Sequence, residues 1–225
     1  LVAGALARLG PFDTVRDAVL ARVPMGGGLE QSLPGWDDLS EDERAFASER
    51  KPLKQREFVA GRAALRLALR ELGIERPPTS LPEVSGAPML PSGVTASITH
   101  KEGMAFALAR TKIDGETVGL DSEWLGGRDR SGISRKVLRP SELQRWQASG
   151  GEWRRLLELF AIKEAIYKAL YPHVPRYIGF EEAEIAKDGR IQMHLREGEG
   201  PFDLRARLRW EGQRVLAFVE AKPRR

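Results

Sequence analysis

The chain has 225 residues, and its 41% hydrophobic and 30% charged content is ordinary for a folded soluble protein. It contains no cysteine, which excludes disulfides, thiolate zinc sites and a cysteine nucleophile, and which fits a cytoplasmic protein. The net charge of +4 is mildly basic. No apolar run approaches the ~20 residues needed to cross a bilayer. A chain of 225 residues predicts either one large domain or two domains of roughly 110 residues each.

The first 35 residues lack a clear helix or strand pattern and are expected to be loosely structured. They include a glycine run at 26–28, which Leu29 and Glu30 follow. A phosphate-binding P-loop would instead end in Gly-Lys-Ser or Gly-Lys-Thr. We therefore interpret the run as a flexible loop.

Two helices and three strands are predicted next. Ser40 and Glu43 have capping-box spacing, which marks a helix start. The segment REFVAGRAALRLALRELG has the apolar periodicity of an amphipathic helix, and Gly73 is typical of a helix end. After a proline-rich stretch, the runs VTASIT, MAFALAR and TVGLDSE have the character of strands.

The second half repeats this order of helix first and strands after. Helical segments are predicted at about 131–148 and 152–170, and four strands follow in EEAEIAK, RIQMHLR, FDLRARLRW and QRVLAFVEA. A joint is expected between Lys112 and Thr117, which gives lobes of 1–112 and 113–225. The pattern is that of an α+β protein.

Two acidic residues directly follow a buried strand in VGLDSEWL. Asp121 and Glu123 are two residues apart, so on an extended chain they point to the same side, while Ser122 faces the other way. Like charges held that close repel each other. We therefore expect another group to compensate them.

The helix predicted at 152–170 carries a second charged group. Glu164 and Lys168 have the favoured spacing of a surface ion pair, and Lys163 lies about 100° round the helix from Glu164. Alternatively, a third carboxylate near the first two would form an oxygen-lined Mg²⁺ site, with lysines beside it for a phosphorylated substrate. His100, after a strand-like run, is similarly either a structural residue or a ligand contact.

Taken in order, the segments GRAALRLAL, SITH, VGLDSE and FAIKEAIYKA resemble the 4′-phosphopantetheinyl transferases. The similarity is to the large two-lobed type that activates siderophore, polyketide and nonribosomal peptide synthases, and its enterobactin-associated branch fits best. It runs from about residue 40 to the end. The resemblance implies two similar α/β lobes with pseudo-twofold symmetry, each a small antiparallel sheet packed with a long helix, and coenzyme A in the cleft between them.

The resemblance also implies a reaction and its residues. The 4′-phosphopantetheine group of coenzyme A would pass to a serine of an apo acyl- or peptidyl-carrier protein, with release of 3′,5′-ADP. Mg²⁺, with Mn²⁺ as the alternative, would bind Asp121, Glu123 and Glu164. Glu164 is the preferred base and Glu142 the second choice, with Lys168 completing the catalytic set. Residue matching assigns coenzyme A contacts to Lys54, Arg62, Thr99, His100, Asp121, Lys163, Glu164 and Lys168.

Two other classes of function remain open. A Mg²⁺-dependent phosphodiesterase or nuclease also uses clustered carboxylates with lysines, but the sequence lacks basic stretches interleaved with aromatic residues. A catalytically silent carrier-binding module would not need the intact acidic residues. We expect a cytoplasmic monomer whose partners are carrier proteins, with no nucleic acid and no membrane among them.

Overall fold

The computed structural model describes residues 5–8, 17–26, 33–74, 79–81 and 87–224. The chain divides into two compact units, Leu1–Ile113 and Asp114–Arg225. Each unit contains an antiparallel sheet and a long helix, so the predicted α+β class is confirmed. Most of the predicted glycine loop, residues 27–30, lies outside the described residues. No described helix has both the length and the apolar character of a membrane-spanning segment.

The first unit is built on a four-stranded sheet with the strand order β1-β2-β4-β3. Its strands are β1 (Ala5–Arg8), β2 (Val19–Pro24), β3 (Val94–Lys101) and β4 (Met104–Thr111), and neighbouring strands are antiparallel. Two helices, α1 (Glu41–Ser48) and α2 (Pro52–Glu71), follow β2 in the chain. The core of the unit forms between α2 and one face of the sheet.

The strands β1 and β2 correct the expectation that residues 1–35 are loosely structured. β2 pairs with β1 on one side and with β4 on the other. Its residues Val19, Ala21 and Val23 are buried in the core beneath α2. The strand was missed because alanine and arginine, which are not strong strand formers, interrupt its pattern.

The predicted start of α1 is confirmed, and it belongs to a buried network. The backbone N–H of Glu43 donates to Ser40 Oγ (3.3 Å), and that of Ser40 donates to Glu43 Oε2 (2.9 Å). Glu43 also accepts hydrogen bonds from Arg66 Nη2 at 2.5 Å and from the Ser80 N–H at 2.8 Å. Burial alone would raise the pKa of Glu43, but these hydrogen bonds, first that from Arg66, outweigh burial and hold the pKa below its ordinary value.

The second unit has a three-stranded antiparallel sheet with the order β5-β9-β8. Its helices are α3 (Ser134–Val137), α4 (Pro140–Ala148) and α5 (Trp153–Leu170). Its strands are β5 (Thr117–Trp124), β6 (Ala183–Ile185), β7 (Ile191–Met193), β8 (Phe202–Glu211) and β9 (Arg214–Pro223). All four strands predicted after the helices are confirmed, and β6 and β7 form a separate two-stranded sheet.

The helix predicted at about 131–148 is in fact interrupted. A 3-10 turn at Ser131–Ile133 leads into α3, and Leu138 then becomes extended before α4 begins at Pro140. Proline disfavours a helical conformation of the residue before it, and it is well suited to the first helical position. Pro140 therefore keeps Arg139 out of a helical conformation and starts α4.

Gly119 allows β5 and α5 to approach closely. A Cβ atom at this position would lie 1.9 Å from the carbonyl oxygen of Ala165 and 2.7 Å from the backbone nitrogen of Ala169. No side chain fits at these distances, because backbone atoms cannot move aside as the end of a side chain can. The glycine in the segment VGLDSE is therefore required by packing.

We expect Gly119→Ala to lower the free energy of unfolding by about 1–3 kcal/mol, because the added methyl group pushes the strand off the helix. Urea unfolding of the purified variant measures this loss. Gly132→Ala is the matched control, since a Cβ there meets nothing within 4 Å, and we expect it to leave stability unchanged. If Gly119→Ala and Gly132→Ala were equally stable, the close contact of Gly119 with α5 would be contradicted.

Candidate active site

The face of β5 that contacts α5 carries the two predicted acidic residues. Thr117 Oγ1 donates to the carbonyl oxygen of Ala169 (2.6 Å), and Gly119 lies against the same helix. Asp121 and Glu123 continue this face, since every second strand residue points the same way. Ser122 is on the other face, where its Oγ accepts a hydrogen bond from Arg214 Nη1 at 3.0 Å. The predicted alternation along this strand is confirmed.

Lys168 on α5 supplies the cation that compensates Asp121. Its Nζ atom donates to Asp121 Oδ1 at 2.7 Å and to the carbonyl oxygen of Leu120 at 3.0 Å. The side chain of Asp121 is 8% exposed and that of Lys168 is 25% exposed, so the pair is largely withdrawn from water. Within the described part of the chain, the ion pair of Lys168 is with Asp121, not with Glu164 as a surface pair would require.

Glu164 lies in an electrostatic environment that opposes its ionisation. Burial raises its pKa most, the carboxylate of Asp121 raises it further, and Glu123 adds a smaller effect in the same direction. The positive charge of Lys168 offsets part of this shift. The structure thus brings three acidic side chains from β5 and α5 within electrostatic reach of one another. The raised pKa makes Glu164 a stronger base than an exposed glutamate.

These carboxylates suit a hard divalent cation by their chemistry. Mg²⁺ binds carboxylate oxygens, and a positive ion would relieve the repulsion that raises the pKa of Glu164. Across the described ranges, however, no three aspartate, glutamate or histidine side chains already stand close enough together to enclose a metal ion. The acidic side chains would have to draw closer together to hold an ion.

Glu142 and Lys163 form a separate, buried ion pair. Lys163 Nζ donates to Glu142 Oε2 (2.6 Å) and to the carbonyl oxygens of Val137 (2.8 Å) and Phe180 (3.0 Å). An ammonium group has three hydrogens, so all of them are used. The side chains of Lys163 and Glu142 are 0% and 1% exposed. Burial lowers the pKa of Lys163, and its hydrogen bond to Glu142 offsets part of that effect.

The same glutamate also accepts backbone hydrogen bonds from two other elements. Glu142 Oε2 accepts from the N–H of Arg139 at the start of α4, and Oε1 accepts from the N–H of Ile185 in β6, both at 2.8 Å. The pair therefore joins α3, α4, α5 and β6 to one another. A phosphate contact by Lys163 or a base role for Glu142 would require these hydrogen bonds to break. The hydrogen bonds of Glu142 and Lys163 are those of a structural ion pair.

The predicted residues of the first unit have different environments. Arg62 is 5% exposed, its Nε donates to the carbonyl oxygen of Ser80, and its guanidinium carbon lies 4.6 Å from the centre of the Phe58 ring. Burial lowers the pKa of Arg62 to about 10. Thr99 is also buried. These two residues are therefore held well inside the unit.

Lys54 and His100 are brought together by a residue that the sequence analysis did not single out. Glu57 Oε2 lies 2.7 Å from Lys54 Nζ, and Glu57 Oε1 lies 3.6 Å from His100 Nδ1. The spacing of Lys54 and Glu57, three residues apart on one helix, is a sequence signal for the first contact. Nothing in the sequence indicates the second.

Comparison with known proteins adds independent information. The family model for the 4′-phosphopantetheinyl transferase N-terminal domain matches residues 42–110, and that for the 4′-phosphopantetheinyl transferase superfamily matches residues 117–219. The chain is 35% identical over 153 residues to the 4′-phosphopantetheinyl transferase Svp of Streptomyces mobaraensis, a match that covers 65% of this chain. That match covers 60% of Svp, so the chain spans less than two thirds of that relative.

A second relative is matched over most of its length. The chain is 34% identical over 208 residues to the 4′-phosphopantetheinyl transferase PptT of Mycobacterium tuberculosis, covering 85% of this chain and 88% of PptT. Among solved structures, the holo-[acyl-carrier-protein] synthase of Thermotoga maritima is 24% identical with a TM-score of 0.38, over 48% of this chain and 63% of that one. The family models and the match to PptT establish that the chain belongs to the 4′-phosphopantetheinyl transferase superfamily.

Proposed function

We propose that this protein transfers the 4′-phosphopantetheine group of coenzyme A to a serine of an apo acyl- or peptidyl-carrier protein. The observation that carries the proposal is the close packing of β5 on α5 at Gly119, which brings Asp121 and Glu123 within electrostatic reach of Glu164. The relatives Svp and PptT, which are named 4′-phosphopantetheinyl transferases, support this assignment.

In this reaction the serine hydroxyl oxygen of the carrier attacks the β-phosphorus of coenzyme A. A new phosphorus–oxygen bond forms, and the bond to the oxygen that bridges the two phosphates breaks. 3′,5′-ADP leaves with that electron pair. In the proposal Glu164 accepts the serine proton, as a carboxylate positioned beside the reacting hydroxyl can. Lys168 provides positive charge beside the phosphates.

Asp121, Glu123 and Glu164 would hold Mg²⁺, with Mn²⁺ as the alternative. Carboxylate oxygens are the kind of ligand that Mg²⁺ prefers, and the repulsion of Glu164 by Asp121 and Glu123 is what an ion would relieve. When bound, the ion supplies positive charge that neutralises the pyrophosphate. Glu142 and Lys163 are left out of the catalytic set, because their hydrogen bonds give them a structural role.

The direct test is to incubate the protein with coenzyme A, Mg²⁺ and an apo-carrier protein, and then to weigh the intact carrier by mass spectrometry. We expect a mass gain equal to one phosphopantetheine group, and none when coenzyme A is omitted. Cleavage of DNA or RNA with Mg²⁺ alone would favour the hydrolase alternative. Carrier binding without a mass gain would favour the silent module.

We also propose that His100 contacts the 3′-phosphate of coenzyme A, with Lys54, Arg62 and Thr99 in the same part of the site. His100→Ala should then weaken binding of coenzyme A more than binding of 3′-dephospho-coenzyme A, because only the former has the phosphate to lose. Calorimetric titration of both ligands measures the difference. His194→Ala, which removes an exposed histidine of the second unit, is the control and should change neither affinity.

Equal weakening of the two ligands by His100→Ala would instead indicate a structural histidine. The other expectations, a cytoplasmic monomer that serves siderophore, polyketide or nonribosomal peptide synthases and a lobe boundary between residues 112 and 113, stay predictions.

A further inference from the structure

Glu57 places a negative charge between two side chains that are proposed to bind an anion. Its Oε2 accepts a hydrogen bond from Lys54 Nζ at 2.7 Å, and its Oε1 lies 3.6 Å from His100 Nδ1. The side chain of Glu57 is only 13% exposed, whereas those of Lys54 and His100 are 66% and 37% exposed. The carboxylate therefore lies beneath the two groups. A carboxylate repels a phosphate, so its position at this site requires an explanation.

The contact follows from the packing of α2 on β3. A Cβ atom on Gly61 would lie 3.1 Å from Ile98 Cγ2, so helix and strand are close at that point. Glu57 is one helical turn before Gly61, and His100 is two residues after Ile98 on the same face of the strand. Glu57 and His100 therefore form the next contact between α2 and β3 after that of Gly61 with Ile98. The packing of the helix on the strand, rather than the flexibility of the two side chains, therefore brings Glu57 and His100 together.

This arrangement has two physical consequences. A carboxylate next to Nδ1 orients the imidazole ring and favours a proton on that nitrogen, which leaves Nε2 as the nitrogen directed away from Glu57. The hydrogen bond to Lys54 restrains a long side chain that otherwise samples many rotamers. Both side chains are therefore held in one orientation before a ligand arrives, which lowers the entropy cost of binding.

We propose that Glu57 is a positioning residue that holds Lys54 and His100 in place for a single phosphate group, the 3′-phosphate of coenzyme A. The proposal rests on the function proposed above. Lys54 Nζ donates a hydrogen bond to the phosphate. His100 Nε2 also donates to it, as an imidazolium whose Nδ1 proton faces Glu57, and Glu57 itself does not touch the phosphate. The binding energy gained by holding two donors in place is larger than the cost of repulsion between the phosphate and the partly buried carboxylate of Glu57.

The test compares 3′,5′-ADP with 5′-AMP, which differ by the 3′-phosphate, in calorimetric titrations of the full chain. The wild-type protein should prefer 3′,5′-ADP. Glu57→Gln keeps the size of the side chain but removes its charge, and it should reduce that preference about fivefold, the effect of one charged pair near the surface. The affinity for 5′-AMP and the melting temperature should stay unchanged. Glu71→Gln, which removes a charge from the other end of α2, is the control and should leave the preference intact.

The nitrogen chemical shifts of His100 provide a second measurement that needs no ligand. Glu57→Gln should change the distribution of the proton between Nδ1 and Nε2, which a purely structural role would not do. An unchanged or increased preference for 3′,5′-ADP in Glu57→Gln would overturn the proposal, as would a wild-type protein without that preference. The carrier-mass assay on the same wild-type sample reports separately whether the proposed transferase function holds.

Discussion

Replacing Glu164 by glutamine is expected to lower the turnover of phosphopantetheine transfer at least ~100-fold, the lower range for a general base or an electrostatic contribution. Glutamine has nearly the same size but cannot accept the serine proton or carry the negative charge. The rate of carrier modification at saturating coenzyme A measures the loss. Glu158→Gln, on the same helix but in contact with Trp210 and Arg155, is the control and should retain normal turnover.

The same substitution should also stabilise the protein at neutral pH. The pKa of Glu164 is raised in the folded state, chiefly by burial and next by the charge of Asp121. A raised pKa favours folding below the unfolded-state value, near 4.5, and this contribution is lost as the pH rises through the folded-state value. In the protein without Mg²⁺, the ionised glutamate therefore costs stability at pH 7, and Glu164→Gln removes that cost.

Melting temperatures measured across pH in the absence of Mg²⁺ test whether the ionised Glu164 destabilises the folded protein. Glu164→Gln should melt above the wild type at pH 7, and the difference should vanish as the pH falls below 4.5, where the wild-type side chain is protonated in both states. A simple surface ion pair with Lys168 predicts the opposite, namely a slightly lower melting temperature and an unchanged rate. A slightly lower melting temperature together with an unchanged rate would contradict the assignment of Glu164 as a catalytic residue.

Lys163→Met is expected to have the largest effect on stability. The substitution removes the cation from a fully buried pair and leaves Glu142 charged without its partner. Breaking such a pair from one side costs about 3–5 kcal/mol. Urea unfolding measures the loss.

The double variant Lys163→Met with Glu142→Gln distinguishes a structural pair from a catalytic one. It should recover part of the stability, because the unpaired buried charge is gone. Turnover per folded molecule should change far less than in Glu164→Gln, since Lys163 has no hydrogen left for a phosphate. A large loss of coenzyme A affinity with normal stability would instead restore Lys163 to the phosphate site.

The sequence predicted the features that depend on local periodicity. Alternation along VGLDSE placed Asp121 and Glu123 on one face, and helical spacing placed Glu164 and Lys168 on α5. The pairing of Lys168 with Asp121 was not predicted, because it joins two elements whose distance depends on the packing at Gly119. Local pattern thus gave the candidate residues but not their partners.

The buried position of Lys163 could have been found in the sequence. It lies four residues after Leu159 and three before Ile166, both buried, so it belongs to the apolar stripe of α5. A lysine in such a stripe requires a buried acceptor, which here is Glu142. The resemblance drew attention to the phosphate role and away from this signal.

Other contacts had no sequence signal at all. Arg176 donates to Glu182 (2.6 Å) and to Glu199 (2.5 Å), and this network ties the segment after α5 to the chain before β8. The contact of Glu57 with His100 likewise joins a helix to a distant strand. Such pairs depend on which elements pack together. From the sequence alone, charged residues at these positions are expected to lie on the solvent-exposed surface.

The contact between Gly119 and α5 also sets a practical limit on engineering of this protein. Main-chain atoms, not side chains, determine the spacing between the strand that bears Asp121 and the helix that bears Glu164. Side chains elsewhere around the site do not take part in this backbone contact. Libraries for directed evolution should therefore spare residues 117–123 and 164–169, and direct their diversity to the surrounding loops.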